Sequence, residues 1–271
     1  MYILGVETSC DETSVGIVRG GNELLSNVVA TSMGMQVEYG GIVPEVAARA
    51  QIEYMIPVLD EALTQAGVNW GEIDAIAVTY GPGLGGSLLV GVMTAKTLSQ
   101  IHNKPLIPVN HVQAHLGANL LTKTSLNLSL PTTPPDFPAL GLIVSGGHTQ
   151  IVYYDSPLKY KVLGQTRDDA VGEAFDKVAK ILGLTYPGGP SISKLAKQGD
   201  QRAYQLPKSR LENPYDFSFS GLKTAVLRLS QSVIGKDFTF PSFLIAQHLS
   251  DQQKADISAS FEYTAIETIL D

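Results

Sequence analysis

The sequence predicts an α/β fold made of two lobes. After an opening pair of strands, β-branched apolar runs alternate with amphipathic helical stretches, as in sheets that are covered by helices. Leu4-Gly5-Val6 and Leu140-Gly141-Leu142 each precede a small polar turn and a second strand, which indicates an internal duplication. A polar, proline-rich stretch separates the halves. We therefore predict lobes at 1–121 and 139–271, joined by a connector at 122–138.

The first lobe is predicted to begin with strands and then to alternate. Its predicted strands are Tyr2–Val6, Ser14–Arg19, Leu24–Val29, Ile73–Thr79 and Leu106–Val109. Gly40-Gly41 and Pro44 open a long helix over Pro44–Ala66, and Gly67 follows in the usual stop position. A second helix is predicted over Ser87–Gln100.

The second lobe follows the same scheme. Its predicted strands are Ala139–Val144, Gln150–Tyr154 and Tyr160–Gly164. One helix is predicted from Asp168 to about Gly183 and another after the turn Tyr186–Pro190. The polar–aromatic stretch Phe217–Lys223 is predicted to open a third. A last helix, which Ser250 can cap, carries an apolar stripe of Ile257, Phe261, Ala265 and Ile269.

Composition indicates an ordinary globular protein. Of 271 residues, 44% are hydrophobic and 17% are charged. No apolar run reaches the roughly 20 residues of a membrane span, and the N-terminus does not resemble a signal peptide. Cys10 is the single cysteine, which favours the cytoplasm.

The charge is unevenly spread along the chain. The net charge is −7, yet residues 136–250 hold 13 Lys/Arg against 10 Asp/Glu, whereas residues 1–135 hold 5 against 11. The middle segment can therefore offer a basic surface to a polyanion. A solvated surface of mixed charge explains the same counts.

Two histidines form the strongest candidate site. His111 and His115 are four residues apart, which places both imidazoles on one face of a helix and within reach of one metal ion. They follow a short buried strand, and open α/β sheets bind ligands at the ends of their strands. The pair can also be two polar residues on an exposed face. Zinc proteases of the H-E-x-x-H type need a glutamate where this chain has Val112, so that chemistry lacks its base.

Polar turns and glycine-rich loops follow several strands. The turn Glu7–Thr13 offers hydroxyl groups and three carboxylates, of which Asp11 and Glu12 can face a phosphate–metal pair or be plain turn residues. The loop Tyr80–Gly86 resembles a phosphate cradle but lacks the P-loop lysine. Gly146 and Gly147 permit a ligand to approach the backbone closely.

Eight motifs together resemble one known family. They are E-T-S-C-D-E-T at Glu7–Thr13, Y-G-G-I-V-P-E-V-A-A-R at Tyr39–Arg49, Y-G-P-G-L at Tyr80–Leu84, N-H-V-Q-A-H at Asn110–His115, V-S-G-G-H-T-Q at Val144–Gln150, G-E-A-F-D-K at Gly172–Lys177, Y-P-G-G-P at Tyr186–Pro190 and F-S-F-S-G-L-K-T at Phe217–Thr224. This set resembles the bacterial branch of the TsaD family, the tRNA adenosine threonylcarbamoyltransferases, once labelled O-sialoglycoprotein endopeptidases. The resemblance implies the duplicated two-lobe actin/Hsp70/sugar-kinase-like (ASKHA) fold.

The resemblance also implies site residues. His111 and His115 become ligands of one divalent metal, iron in preference to zinc. Ile143, Val144, Ser145, Gly146 and Gly147 become contacts of the acyl-adenylate, and Asp176 and Gly189 contacts of its nucleoside. Asp11 and Glu12 become the acidic turn near the phosphates. These site residues are implied by motif position alone.

The chain departs from the family pattern in three ways. Gln36 and Gln51 stand where many relatives carry histidine, and Ile143 stands where archaeal relatives place a metal-linked tyrosine. The family's later G-G-V-A-A-N and C-T-D-N segments, including an aspartate metal ligand, are absent, so the second lobe is expected to be incomplete. We accordingly expect Ile257, Phe261 and Ile269 to lose the sheet that covers them, and the chain alone to aggregate or to fold only in its first lobe.

The implied reaction transfers a threonylcarbamoyl group from threonylcarbamoyl-AMP to N6 of the adenosine next to the anticodon, in tRNAs that read ANN codons. The implied partners are the tRNA anticodon loop and TsaB-like and TsaE-like proteins, with no membrane. Three alternatives stay open: an impaired fragment or TsaB-like scaffold, a metalloprotease, and an ATPase or sugar kinase of the same fold.

Overall fold

The computed structural model describes residues 1–36 and 41–271 and divides into two compact units, Met1–Asp136 and Phe137–Asp271. Tyr39 and Gly40, which belong to one of the family motifs, lie outside the described residues, as does the predicted opening of the long helix at Gly40.

The first unit is a six-stranded mixed sheet with helices packed on it. Its elements are β1 (Tyr2–Glu7), β2 (Glu12–Arg19), β3 (Glu23–Thr31), α1 (Met33–Gln36), α2 (Pro44–Ala66), β4 (Ala75–Gly81), α3 (Gly85–His102), β5 (Leu106–Asn110), α4 (His111–Gly117), a 3₁₀ turn (Ala118–Leu120) and β6 (Lys123–Thr124). The strand order is β5-β4-β1-β2-β3-β6. Only β2 runs antiparallel to its neighbours, because tight turns join it to β1 and β3.

The long helix α2 forms as its end signals predict. Pro44 occupies the first helical turn, where its missing N–H costs nothing. Gly67 takes a left-handed conformation with φ 65° and closes the helix by donating to the carbonyls of Leu63 and Thr64. One face of α2 packs on the sheet, in a core that includes Leu4, Val15, Ile17, Met55, Val58, Leu59, Ile73, Ile76 and Val78.

The second unit pairs a three-stranded sheet with a group of helices. Its elements are β7 (Ala139–Val144), β8 (Thr149–Ser156), β9 (Lys159–Gln165), α5 (Val171–Leu182), α6 (Gly188–Ala196), α7 (Ser220–Val233), α8 (Ser242–Ile245) and α9 (Asp251–Leu270). The sheet is an antiparallel meander in the order β7-β8-β9. The first unit also opens with such a meander, β1-β2-β3, which agrees with the predicted duplication.

The cover of α9 differs from expectation. A capping box between Ser250 and Gln253 starts the helix, and Ile257, Phe261 and Ala265 are fully buried. Their cover comes from the neighbouring helices α5 to α7: the ring of Phe175 on α5 lies 4.8 Å from that of Phe261. The expectation that Ile257 and Phe261 would lose their cover is therefore wrong, because helices rather than strands supply it.

Some element boundaries also differ from the predicted ones. The strand predicted at Ile73–Thr79 runs over Ala75–Gly81, and the following helix begins at Gly85, before Ser87. The helix predicted from Asp168 begins at Val171, because the Asp168 carboxylate accepts hydrogen bonds from the backbone N–H groups of Phe219 and Ser220 at the start of α7. The predicted connector contains the short strand β6.

In the part of the chain that the structure describes, no helix combines the length and the apolar character needed to cross a bilayer.

The burial of α9 predicts an asymmetric response to truncation of its side chains. Phe261→Ala should lower the free energy of unfolding by about 3–5 kcal/mol, since it empties a fully buried site. Ile266→Ala on the same helix is the matched control, because Ile266 is 48% exposed. Denaturant titration measures both, and an equal cost for the two variants would contradict this packing.

Candidate functional site

The histidine pair lies where β5 passes directly into α4. The side chain of Asn110 caps α4 by accepting from the N–H groups of Val112 at 3.0 Å and Gln113 at 3.2 Å. This cap sets the first turn, which begins with His111, and places His115 one turn later on the same face. The two imidazole Nε2 atoms lie 3.1 Å apart.

This separation suits two ligands of one metal ion. With metal–nitrogen bonds of about 2.0–2.1 Å, two nitrogens on one ion lie roughly 3.0–3.4 Å apart. The observed Nε2–Nε2 distance of 3.1 Å falls within that range. Among residues 1–36 and 41–271, no group of three or more His, Cys, Asp or Glu side chains is arranged to hold a metal. The pair therefore offers two protein ligands.

Glu7, the last residue of β1, contacts the Nδ1 side of the His111 ring. Its Oε2 lies 3.2 Å from His111 Nδ1 and accepts a hydrogen bond of 2.5 Å from the Thr79 hydroxyl. Its Oε1 accepts from the N–H of Ser9 at 2.5 Å. Burial raises the pKa of this carboxyl, but the hydrogen bonds from His111, Ser9 and Thr79 outweigh burial and lower it to about 2. Glu7 is thus ionised throughout the physiological range.

The second histidine is biased toward its neutral form. Burial and then the neighbouring His111 lower the pKa of His115, while Glu7 acts in the opposite direction. Neutral imidazole is the form that binds metals.

The acidic turn between β1 and β2 is held by its backbone. Gln51 on α2 is fully buried and donates from its amide nitrogen to the carbonyls of Cys10 and Glu12, both at 3.0 Å. The hydroxyl of Ser87 donates to the Cys10 carbonyl at 2.9 Å. Gln51 therefore has a structural role at a position where many relatives carry histidine. Asp11 lies in the same turn.

The turn Glu7–Thr13 reaches the histidine pair through Ser9. Ser9 Oγ lies 3.1 Å from His111 Nδ1. Partial burial, and then the charges of Asp11 and Glu7, raise the pKa of Glu12. The charge of Glu7, which contacts His111, therefore also influences the protonation of Glu12 in the turn.

In the second unit, the predicted substrate turn is largely bonded to itself. The N–H of Ser145 donates to the carbonyl of His148 at 2.8 Å, and the N–H of Gly147 donates to the Ser145 hydroxyl at 3.3 Å. The N–H groups of Ser145 and Gly147 are therefore already bonded within the turn. Of the strand residues before the turn, Ile143 is buried and Val144 is half exposed.

The two other predicted substrate residues lie close together. Asp176 on α5 accepts from the N–H of Gly188, the first residue of α6, at 2.7 Å, and Gly189 follows directly. Burial raises the pKa of Asp176 and outweighs this hydrogen bond. A Cβ at Gly188 would lie 2.5 Å from the Asp176 Cα, so only glycine permits this contact.

Sequence reasoning missed two residues that organise these sites. Glu7 contacts a histidine 104 positions away, and its only local signal is its place at the end of a strand. Asp168 accepts from the Ser218 and Ser220 hydroxyls at 2.6 Å as well as from two N–H groups of that segment, and its only signal is a carboxylate beside a turn.

The α/β architecture, with a mixed sheet in the first unit and a matching meander in the second, agrees with the two-lobe fold class that the family resemblance implies. The sequence model described as "TsaD: tRNA N6-adenosine threonylcarbamoyltransferase" matches residues 23–271. The chain belongs to this family, as the resemblance implied.

Curated relatives agree with this assignment. The tRNA N6-adenosine threonylcarbamoyltransferase of Symbiobacterium thermophilum is 51% identical over 260 residues, which are 96% of this chain and 70% of the relative. The protein of the same name from Bacillus subtilis is 45% identical over 271 residues, which are 100% of this chain and 72% of the relative.

Similarity to solved structures is weaker. Component A of the (R)-2-hydroxyglutaryl-CoA dehydratase of Acidaminococcus fermentans has a TM-score of 0.44 at 14% identity, over 98% of this chain and 78% of that one. YeaZ from Pseudomonas aeruginosa has a TM-score of 0.35 at 16% identity, over 60% of this chain and 68% of that one.

The close packing of α3 on the acidic turn gives a testable prediction. A Cβ at Gly91 would lie 2.3 Å from the Thr8 hydroxyl oxygen, which itself donates to the Ser87 carbonyl. Gly91→Ala should therefore cost about 1–3 kcal/mol of unfolding free energy by overpacking. Gly85→Ala on the same helix meets no atom within 4 Å and should be neutral or slightly stabilising. Thermal or denaturant unfolding compares them, and the reverse order would refute this packing.

Proposed function

We propose that this chain transfers the threonylcarbamoyl group of threonylcarbamoyl-AMP to N6 of the adenosine next to the anticodon, in tRNAs that read ANN codons. The observation that carries the proposal is identity of 45–51% to threonylcarbamoyltransferases over at least 96% of the chain. The histidine pair agrees with the metal-assisted chemistry that the family resemblance implies.

The reaction needs an activated donor because the lone pair of the adenine N6 is delocalised into the ring. A bond forms between N6 and the carbamoyl carbon, the bond from that carbon to the phosphate oxygen breaks, AMP leaves as its anion with the bonding electron pair, and the proton of N6 passes to water. We propose that Asp11 orients the incoming amine or the phosphates and that Glu12 adds negative charge beside it.

We further propose that His111 and His115 hold one divalent metal, iron in preference to zinc. Such an ion supplies a Lewis acid and a template for the donor. The two Nε2 atoms can reach a shared ion, and burial favours the neutral form of His115.

The second unit is proposed to bind the adenylate. Ile143–Gly147 would supply a strand end and turn against which the acyl group rests. Asp176 and Gly189 would contact the nucleoside, since a carboxylate is a suitable acceptor for ribose hydroxyls. The N–H groups of Ser145 and Gly147 already have acceptors within the turn. The turn would therefore contact the acyl group through its shape as much as through hydrogen bonds.

The macromolecular substrate is tRNA. We propose that the anticodon loop is read through stacking and backbone contacts, as single-stranded RNA loops are. The lysines and arginines of residues 136–250 would contact its phosphates. A cytoplasmic location fits this substrate.

TsaB-like and TsaE-like proteins are the proposed protein partners. We propose that one of them docks on exposed apolar side chains of the first unit, because Ile52 and Ile56 on α2 and Leu89 and Met93 on α3 are each more than half exposed. An apolar surface of this kind is typical of an interaction site.

The other readings have less support. A protease of the H-E-x-x-H type has no base, because Val112 and Gln113 follow His111. Glu7 does not replace that base, since hydrogen bonds hold its carboxylate on the Nδ1 side of His111. An inert scaffold would not need a histidine pair with metal-binding geometry.

The activity is tested with the chain, threonylcarbamoyl-AMP, TsaB-like and TsaE-like proteins, and unmodified tRNA. Nucleoside mass spectrometry should detect threonylcarbamoyladenosine, and glycoprotein should remain uncleaved. Metal-dependent proteolysis that disappears in His111→Ala would overturn the proposal.

The metal assignment has its own test. The double variant His111→Ala/His115→Ala should lose at least about tenfold of its metal affinity, because both protein ligands are gone. His102→Ala is the matched control, since His102 stacks on Trp70 away from the pair. Metal analysis of the dialysed proteins checks the result, and unchanged stoichiometry in the folded double variant would refute the assignment.

A further inference from the structure

The protonation pattern of His111 determines whether the histidine pair can bind a metal. Only a ring nitrogen without a proton can be a ligand, and neutral imidazole carries its one proton on either Nδ1 or Nε2. The Nε2 atoms of His111 and His115 face each other at 3.1 Å. Binding through these two atoms therefore requires that the proton of His111 reside on Nδ1.

The atoms around Nδ1 favour that arrangement. Glu7 Oε2 lies 3.2 Å and Ser9 Oγ 3.1 Å from Nδ1. An ionised carboxylate can only accept hydrogen bonds, so its 3.2 Å contact with Nδ1 is a hydrogen bond only when Nδ1 carries the proton, whereas the Ser9 hydroxyl can serve either tautomer. The Ser9 hydroxyl can accept from the same N–H.

Glu7 is itself fixed in place by two donors. The N–H of Ser9 donates to Oε1 and the hydroxyl of Thr79 donates to Oε2, each at 2.5 Å. These contacts join the end of β1, the following turn and β4, and Thr79 is buried. The carboxylate therefore cannot rotate away from His111 without losing both bonds.

We propose that Glu7 is a positioning residue that holds His111 in the Nδ1–H tautomer and so keeps its Nε2 available as a metal ligand. The proposal rests on the metal site proposed above. It assigns no contact between Glu7 and the substrate. Carboxylates that orient metal-binding histidines in this manner typically affect metal affinity about 10–100-fold when they are removed.

The variant Glu7→Gln tests this with almost no change in shape. The N–H of Ser9 can only donate, so the new amide must place its oxygen at the Oε1 position. Its NH₂ group then occupies the Oε2 position, where one N–H can donate to the Thr79 hydroxyl once that hydroxyl turns to accept, and the other N–H points at His111 Nδ1. Nδ1 must become the acceptor, and the proton moves to Nε2. The substitution thus inverts the tautomer instead of merely weakening a bond.

The first measurement is the tautomer of His111 in the metal-free chain. Two-bond ¹⁵N–¹H correlation spectra distinguish the two forms, and the chain has only 5 histidines. The spectrum of His111→Ala assigns the signal by its loss. We expect Nδ1–H in the wild type and Nε2–H in Glu7→Gln. A wild type in the Nε2–H form overturns the proposal, even if Glu7→Gln fails to fold.

The second measurement is Zn²⁺ affinity in competition with a chromophoric chelator. Glu7→Gln should bind Zn²⁺ about 10–100-fold more weakly. Asp74→Asn is the matched control, because Asp74 also accepts a backbone N–H, that of Tyr2 at 2.7 Å, and contacts neither histidine. It should match the wild type in both measurements. Wild-type affinity and an Nδ1–H tautomer in folded Glu7→Gln would contradict the proposal.

The outcomes separate this inference from the metal assignment. If the wild type and His111→Ala/His115→Ala bind Zn²⁺ equally, the metal assignment fails. The tautomer spectra of the metal-free proteins then still decide whether Glu7 orients His111. If the double variant loses its Zn²⁺ affinity and Glu7→Gln keeps it, the metal assignment is supported and the proposed role of Glu7 is refuted.

Discussion

The Glu7 carboxylate is the interaction on which the first unit's site depends. It receives hydrogen bonds from β4 through Thr79 and from the turn after β1 through Ser9, and it contacts His111 at the start of α4. Parallel pairing of β1 with β4 and of β4 with β5 brings these three segments to one edge of the sheet. The sheet thus determines where the carboxylate lies, and the carboxylate determines how the imidazole is turned. An ionised group with this many donors is stable at a partly buried position, because the donors replace the water that it has lost.

The sequence predicted best the features whose causes are local. Proline at the first helical turn and a glycine that adopts φ > 0 gave both ends of α2 correctly. The spacing of His111 and His115 after a short strand likewise placed both rings on one helix face. Features that depend on distant residues were missed or mistaken. Asp168 lies beside α5, yet it bonds to Phe219, 51 positions later, so the predicted helix start was three residues early. No periodicity or spacing in the sequence contains that pairing.

The packing of the last helix, α9, also depends on residues that are distant in the sequence. An apolar stripe predicts that one face is buried, and Ile257 and Phe261 are indeed buried, but a stripe does not identify the element that covers it. We inferred a sheet from the expected architecture, whereas helices α5 to α7 supply the cover. Amphipathic helices accept either kind of neighbour, since the hydrophobic effect depends on buried area and not on the type of backbone beneath it. The orientation of a helix therefore follows from sequence more readily than its partner does.

Cys10, the single cysteine, lies in the acidic turn between β1 and β2, and its surroundings determine the reactivity of its thiol. Desolvation and then the charge of Asp11 raise the pKa of the Cys10 thiol to about 11. The thiolate, which is the form that reacts with oxidants and captures metals, is therefore scarce at neutral pH. Although Cys10 is exposed, its thiol is therefore a poor nucleophile and a poor metal ligand at neutral pH. Desolvation and the negative charge of the turn thus both lower the reactivity of this thiol.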